Sequence, residues 1–172
     1  EVRNRLSTGE IQKILQGLLS EQVSIRNLVV LLETISDFSG VSKDIGFLVE
    51  KARQSLGRQI CLQYADENRV LRVLTINPAL EQKIIDSRME TSSGIIAALE
   101  PELHRGWINA LTNTVHSVQG EWEYPIILCS EAARPLVKSS TLREVPDLVV
   151  LSIPEIASGI QVESLGEIKL KE

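Results

Sequence analysis

The chain has 172 residues, of which 43% are hydrophobic, 24% charged and 3% aromatic, and it carries a net charge of −5. That length suits one ordinary domain or two small ones. The composition excludes a disordered chain, a disulfide scaffold and a sequence-wide basic field for a polyanion.

Read in chain order, the first third is helical. Ser7 and Glu10 stand at capping-box spacing, and Ile11, Ile14, Leu15, Leu18 and Leu19 then recur as one apolar stripe. Ser24 is placed to cap a second helix that runs through Leu28, Leu31, Leu32 and Ile35, with Val23 and Leu28 as a hydrophobic staple. Asp44 caps a third helix, expected to continue to Tyr64 despite Gly57, whose cost is about 1 kcal/mol relative to Ala. The period changes at Val70: VLRVLTI (70–76) reads as a strand. Asn77-Pro78 opens a helix, 87–94 reads as a polar loop, and Pro101 opens a long helix closed by Gly120. YPIILCS (124–130) is a second strand, Ser130 caps a helix, LVVLSI (148–153) is a third strand and GIQVESLGEIKL (159–170) alternates as a fourth.

The fold class is therefore α/β: an all-helical subdomain over 1–57, then a small α/β subdomain over 58–172 with a roughly four-stranded sheet. Helical segments between strands one, two and three argue for a layered sheet, parallel at least between strands two and three. The short link through Pro154 makes the fourth strand an antiparallel edge strand.

Nothing in the residues demands catalysis. Cys61, Cys129, His104 and His116 lack the close pairs of a zinc site; the histidines, twelve apart on one helix, diverge by about 120°. Both cysteines sit in apolar runs and are expected to be buried and reduced. No glycine-rich phosphate loop is present. Ser130 lacks the glycine context of an elbow nucleophile, and its position fits a helix cap. Glu121 with Glu123, and Glu100 with Glu102, read as solvated carboxylates. Arg3, Arg5, Arg69 and Arg72 are too sparse, with too few aromatic residues among them, to bind nucleic acid. The expectation is no metal, no cofactor, no nucleic acid and no enzymatic activity.

The order of segments carries a resemblance. LSTGEIQKILQGLLSEQVSIRNLVVLLETISDFS from Leu6, LVEKARQSLGRQI from Leu48 and RPLVKSSTLREVPDLVVLSIPEI from Arg134 resemble the C-terminal cytoplasmic region of the type III secretion export-gate family, also called FHIPEP. The strongest parts are Val23 to Leu32, Leu56-Gly57-Arg58, and Arg134-Pro135 followed by Val150-Leu151-Ser152 and Glu155. The stretch 85–99 carries no such likeness.

The resemblance implies a non-enzymatic structural and binding module, the helical and α/β subdomains of a longer protein whose remainder is membrane-embedded. A chain that begins at Glu1, with Met89 its only methionine, fits a fragment of such a parent. The implied setting is the cytoplasmic face of the bacterial inner membrane. The implied partners are further copies in a ninefold ring, other export-apparatus proteins and chaperone–cargo complexes. The closing Lys169-Leu170-Lys171-Glu172, with no long tail, favours the injectisome branch over the flagellar one. The helical subdomain is the ring-packing part in this family, which makes Arg26, Asn27, Arg53 and Arg58 the expected interface residues, on polar helix faces. Two alternatives stand beside this reading: a small α/β ligand-binding or enzymatic domain using Asn77 and Ser130, and a generic protein-interaction module.

Overall fold

The computed structural model describes residues 6–120 and 124–172. Arg3, Arg5, Glu121 and Glu123 lie outside the described residues. Packing divides the chain into two compact units, 1–63 and 64–172. This division falls six residues after the one read from the sequence.

The helical unit holds α1 (Thr8–Ser20), α2 (Leu28–Ser39), α3 (Ile45–Ser55) and α4 (Gly57–Tyr64), the last ending at the division. The capping box at α1 is formed: the Glu10 amide donates to Ser7 Oγ at 3.1 Å and the Ser7 amide to Glu10 Oε2 at 2.6 Å. Asp44 caps α3 by accepting from the Phe47 amide at 2.8 Å. The expected single helix from 45 to 64 is in fact two. Leu56 leaves helical geometry (φ −97°, ψ 15°), and Ser55 Oγ occupies the Ala52 carbonyl at 2.7 Å. The core gathers Ile14, Leu18, Leu31, Ile35, Leu48, Ala52 and Ile60, all at most 1% exposed. Helices α1 and α3 approach closely because Gly17 has no side chain: a Cβ there would lie 2.9 Å from Val49 Cγ2.

The α/β unit runs β1 (Val70–Ile76), α5 (Pro78–Asp86), β2 (Arg88–Thr91), β3 (Gly94–Ala97), α6 (Pro101–Ser117), β4 (Ile126–Cys129), α7 (Arg134–Thr141), β5 (Val149–Ser152), a 3-10 turn (Ile153–Glu155) and β6 (Gln161–Ile168). The four-stranded sheet has the order β5-β4-β1-β6 and is parallel throughout. The expected antiparallel sense of the last strand is thus corrected. Residues 153–160, which open with the 3-10 turn, return the chain to the level of Val70, which pairs with Gln161, without an α-helical crossover.

The expected polar loop at 87–94 is also corrected. It forms an antiparallel hairpin in which Met89 opposes Ile96, and Gly94 takes φ +123°, a conformation side-chain-bearing residues rarely adopt. One side of the sheet presents Leu74, Ile76, Ile127, Cys129 and Val150 to Leu80, Ile84, Trp107, Leu111 and Val137. Leu71, Val73 and Leu151 alternate with these and are also fully buried, so both sheet faces are covered. Burial on both sides explains the near-continuous apolar runs of β1 and β5.

Candidate functional site

The four residues expected at an interface separate into two classes. Arg26 and Asn27 are exposed on the link between α1 and α2, and Arg58 is exposed in the first turn of α4. Arg53 is only 2% exposed, and its guanidinium lies 3.9 Å from Glu21 Oε1 at the end of α1. It fastens helices of one chain and offers almost no surface of its own.

The link itself departs from the expected cap. Ser24 Oγ accepts from the Arg26 amide at 3.2 Å and does not start a helix; α2 begins four residues later, at Leu28 after Asn27. Val23 is buried while Leu28 is 46% exposed, so the staple is not formed. Leu31 and Ile35 take the inward face of α2. Leu28, Val29 (68% exposed) and Leu32 face outward, immediately beside Arg26 and Asn27. This outward apolar strip was not anticipated. Its signal was legible in LVVLL itself, since five consecutive apolar residues wrap further round a helix than one buried stripe requires.

In the α/β unit the residues that carried the family resemblance meet in one buried cluster. Glu155 is fully buried and Arg134 is 2% exposed. Glu155 Oε2 accepts from Ser152 Oγ at 2.6 Å and from the Ser152 amide at 3.1 Å, and it lies 3.8 Å from Arg134 Nε. Arg134 also donates to the Val150 carbonyl at 3.3 Å. Desolvating a charged pair is tolerable only with such additional hydrogen bonds. The cluster locks the end of β5 to the start of α7.

The strand ends that a ligand would use are occupied by the protein's own groups. Asn77 Oδ1 caps α5 by accepting from the Ala79 and Leu80 amides. The Ser130 amide donates to Glu81 Oε1 at 3.2 Å, and Ser130 Oγ takes the Ala133 amide. A groove of about 460 Å³ runs along α6, lined by Glu102, Gly106, Asn109, Asn113, Leu170 and Lys171 among others. Neither Asn77 nor Ser130 lines it.

Of the titratable candidates, His104 Nε2 lies 3.2 Å from Glu144 Oε1, and this contact holds the Glu144 carboxyl below its ordinary range. His116 is exposed at the far end of the same helix. Cys61 and Cys129 are buried and are not joined in a disulfide. Among the described residues no cluster of three or more potential metal ligands occurs, and no helix is long and apolar enough to cross a membrane.

Comparison with known proteins gives a consistent picture. The FHIPEP family matches residues 1–161. The flagellar biosynthesis protein FlhA of Borreliella burgdorferi is 51% identical over all 172 residues, which make up 25% of that protein. Low calcium response locus protein D of Yersinia pestis is 31% identical over 99% of this chain and 24% of its own length. The chain therefore spans about a quarter of the length of these relatives. Among solved structures, the Chlamydia pneumoniae CdsV and CdsO complex contains a chain with TM-score 0.88 and 27% identity, covering 98% of this chain and 49% of that one. A nonameric EPEC SctV-C structure aligns with TM-score 0.87 and 30% identity over 97% of this chain and 50% of that one. The expected injectisome branch is not favoured by these identities, which are higher to the flagellar relative. The reason is that a stretch spanning a quarter of its relatives carries no branch information in where it stops.

Proposed function

Since this chain belongs to the FHIPEP family, the export-gate family of type III secretion, we propose that it is a non-enzymatic module of a homo-oligomeric ring. That ring receives chaperone-bound cargo at the cytoplasmic face of the bacterial inner membrane, alongside other export-apparatus proteins. The helical unit joins neighbouring copies, and the observation that carries this reading is the outward strip of α2. Leu28, Val29 and Leu32 are exposed within five positions of one another, beside Arg26 and Asn27. A clustered apolar strip with a polar margin is the pattern of an interaction surface, whereas single exposed apolar side chains are ordinary. Arg58, exposed in the first turn of α4, is a second polar contact residue of the same unit, and the buried Arg53 acts from behind the surface.

The nonameric form described for a relative of similar fold supports the ring, and the CdsV–CdsO complex supports contacts with further proteins. The internal satisfaction of Asn77 and Ser130 speaks against the ligand-binding alternative.

The test is Val29→Glu, Arg26→Glu and Arg58→Glu in the intact protein. Val29 is 68% exposed, so its replacement is expected to change stability by no more than about 0.5 kcal/mol. Ultracentrifugation is expected to show weakened assembly and a secretion assay reduced export, with unchanged circular dichroism. Variants that assemble and secrete like the parent refute the reading. Unfolding makes these residues structural and refutes it equally.

A further inference from the structure

The link that displays Arg26 and Asn27 is not held by helix packing alone. Residues 21–27 connect α1 to α2 without regular secondary structure, and Gln22 sits at φ 60°. Four fastenings hold the first part of the link. Glu21 meets Arg53 of α3 at 3.9 Å, and Val23 is buried. Gln63 Nε2 of α4 donates to the Gln22 carbonyl at 3.4 Å, and Gln59 Nε2 donates to the Ser24 carbonyl at 3.0 Å. The two glutamines stand four apart on α4, one turn, and therefore share a face. They grip alternate carbonyls of the link.

Two donors one helical turn apart, about 6 Å by helix rise, thus meet two carbonyls that lie two residues apart in the link. A left-handed residue such as Gln22 is costly for a side-chain-bearing position and persists where its surroundings fix it.

From this geometry we infer that Gln59 and Gln63 are positioning residues for the contact between copies. They hold the 21–24 backbone so that Arg26, Asn27 and the outward strip of α2 stand in one fixed arrangement. Arg53 assists from α3. The inference rests on the ring reading above and names the device that preorganises its surface. Binding by a preorganised segment loses less ordering entropy than binding by a loose one, so release of the link lowers affinity even though the contact residues are intact.

Gln59→Met and Gln63→Met keep the length of each side chain and remove the donor, and they are tested singly and together in the intact protein. Arg26→Glu and Val29→Glu serve as contact variants. Hydrogen exchange is expected to quicken at the amides of 22–27 in the double variant. Assembly is expected to weaken about tenfold, the effect of two modest hydrogen bonds. The melting temperature is expected to fall by less than about 5 °C. Gln59→Lys, which restores a donor, is expected to recover assembly in the Gln63 wild-type background. If the contact variants weaken assembly and the methionine variants do not, the inference is wrong and the ring reading stands. If the contact variants also assemble normally, the ring reading itself has failed. If the methionine variants melt far below the parent, the glutamines are general supports of the fold and the positioning role is refuted.

Discussion

Large exposed apolar side chains occur in both units, but they are distributed differently. Among the described residues of the α/β unit they are spread over several elements: Leu142, Ile153 and Val162 lie on separate segments, Tyr124 meets Tyr64 edge-on, and Met89 and Ile96 face each other across the hairpin. In the helical unit Leu19, Val41 and Leu62 are likewise scattered over other elements, but Leu28, Val29 and Leu32 share one stretch of α2. Charge shows the opposite contrast. The α/β unit seals both partners of the Arg134–Glu155 pair in its interior, whereas in the helical unit the buried Arg53 pairs with a Glu21 that is still 16% exposed, and Arg26 and Arg58 stand outside. The difference teaches that a small helical bundle can leave part of an apolar helix exposed, and under the proposed assembly that part is what a neighbouring copy covers. A parallel sheet, buried on both faces, has little such surplus.

The sharpest way to break this comparison is at the buried pair. Arg134→Met leaves Glu155 enclosed without its cation and is expected to destabilise the α/β unit by about 3–5 kcal/mol in urea unfolding. Adding Glu155→Gln removes the stranded charge while keeping an acceptor for Ser152, and is expected to recover part of that loss. A single variant with wild-type stability would show that the unit does not depend on its sealed charges.

Arg53→Ala in the helical unit is expected to cost less, about 1–3 kcal/mol, because its partner Glu21 is still 16% exposed and can be hydrated. A loss as large as that of Arg134→Met would erase the contrast between the two ion pairs.

Gly17→Ala sharpens the packing side. The helix gains up to about 1 kcal/mol from the better helix former, and the 2.9 Å approach to Val49 costs about 1–3 kcal/mol. The expected net effect is a loss of about 1 kcal/mol, reversed by Val49→Ala in the same chain. Thermal unfolding of the single and double variants decides it.

The smallest effect is electrostatic. Asp66 accepts from the Val70 and Asn68 amides and from Arg72 at 2.9 Å, and the Val70 hydrogen bond, followed by that from Arg72, holds its carboxyl below the ordinary value of 3.8. A depressed folded value means that the contribution is complete above the unfolded value and is lost as pH falls through the folded one. Acid titration of stability is therefore expected to flatten in Asp66→Asn, with little change near neutrality in the slope itself.

Much of this architecture was legible because it is local. Ser7 with Glu10, Asp44 and Asn77 each announce a helix start through a hydrogen bond spanning two or three residues. The burial of Cys61 and Cys129 follows from apolar neighbours in sequence. What was not legible depends on distant partners. The sense of β6 is decided by pairing with β1 and not by the link before it. The hairpin at 88–97 has four-residue strands, too short for alternation to stand out, and β3 is fixed from outside by Ser139 Oγ accepting from the Ala97 amide at 3.3 Å. Arg53 looked like a surface cation because nothing in its own helix reveals Glu21, thirty-two positions earlier. The cluster of Arg134, Ser152 and Glu155 was visible as a pattern, yet its physical meaning emerged only when α7 and β5 came together.

The placement of β6 beside β1 has a consequence for how the molecule is made. Thr75 and Gly166, hydrogen-bonded neighbours across that pair, are 91 residues apart along the chain. A ribosome delivers β1 long before its outer partner, so that flank of β1 stays open through the synthesis of everything between. The contacts of α1 to α3 close within the first sixty-odd residues and face no such wait. Non-local pairing of this kind is slow, and an unpaired strand edge is prone to wrong association while it waits. Refolding is thus expected to be paced by the arrival of residues 161–168, with the helical unit already formed.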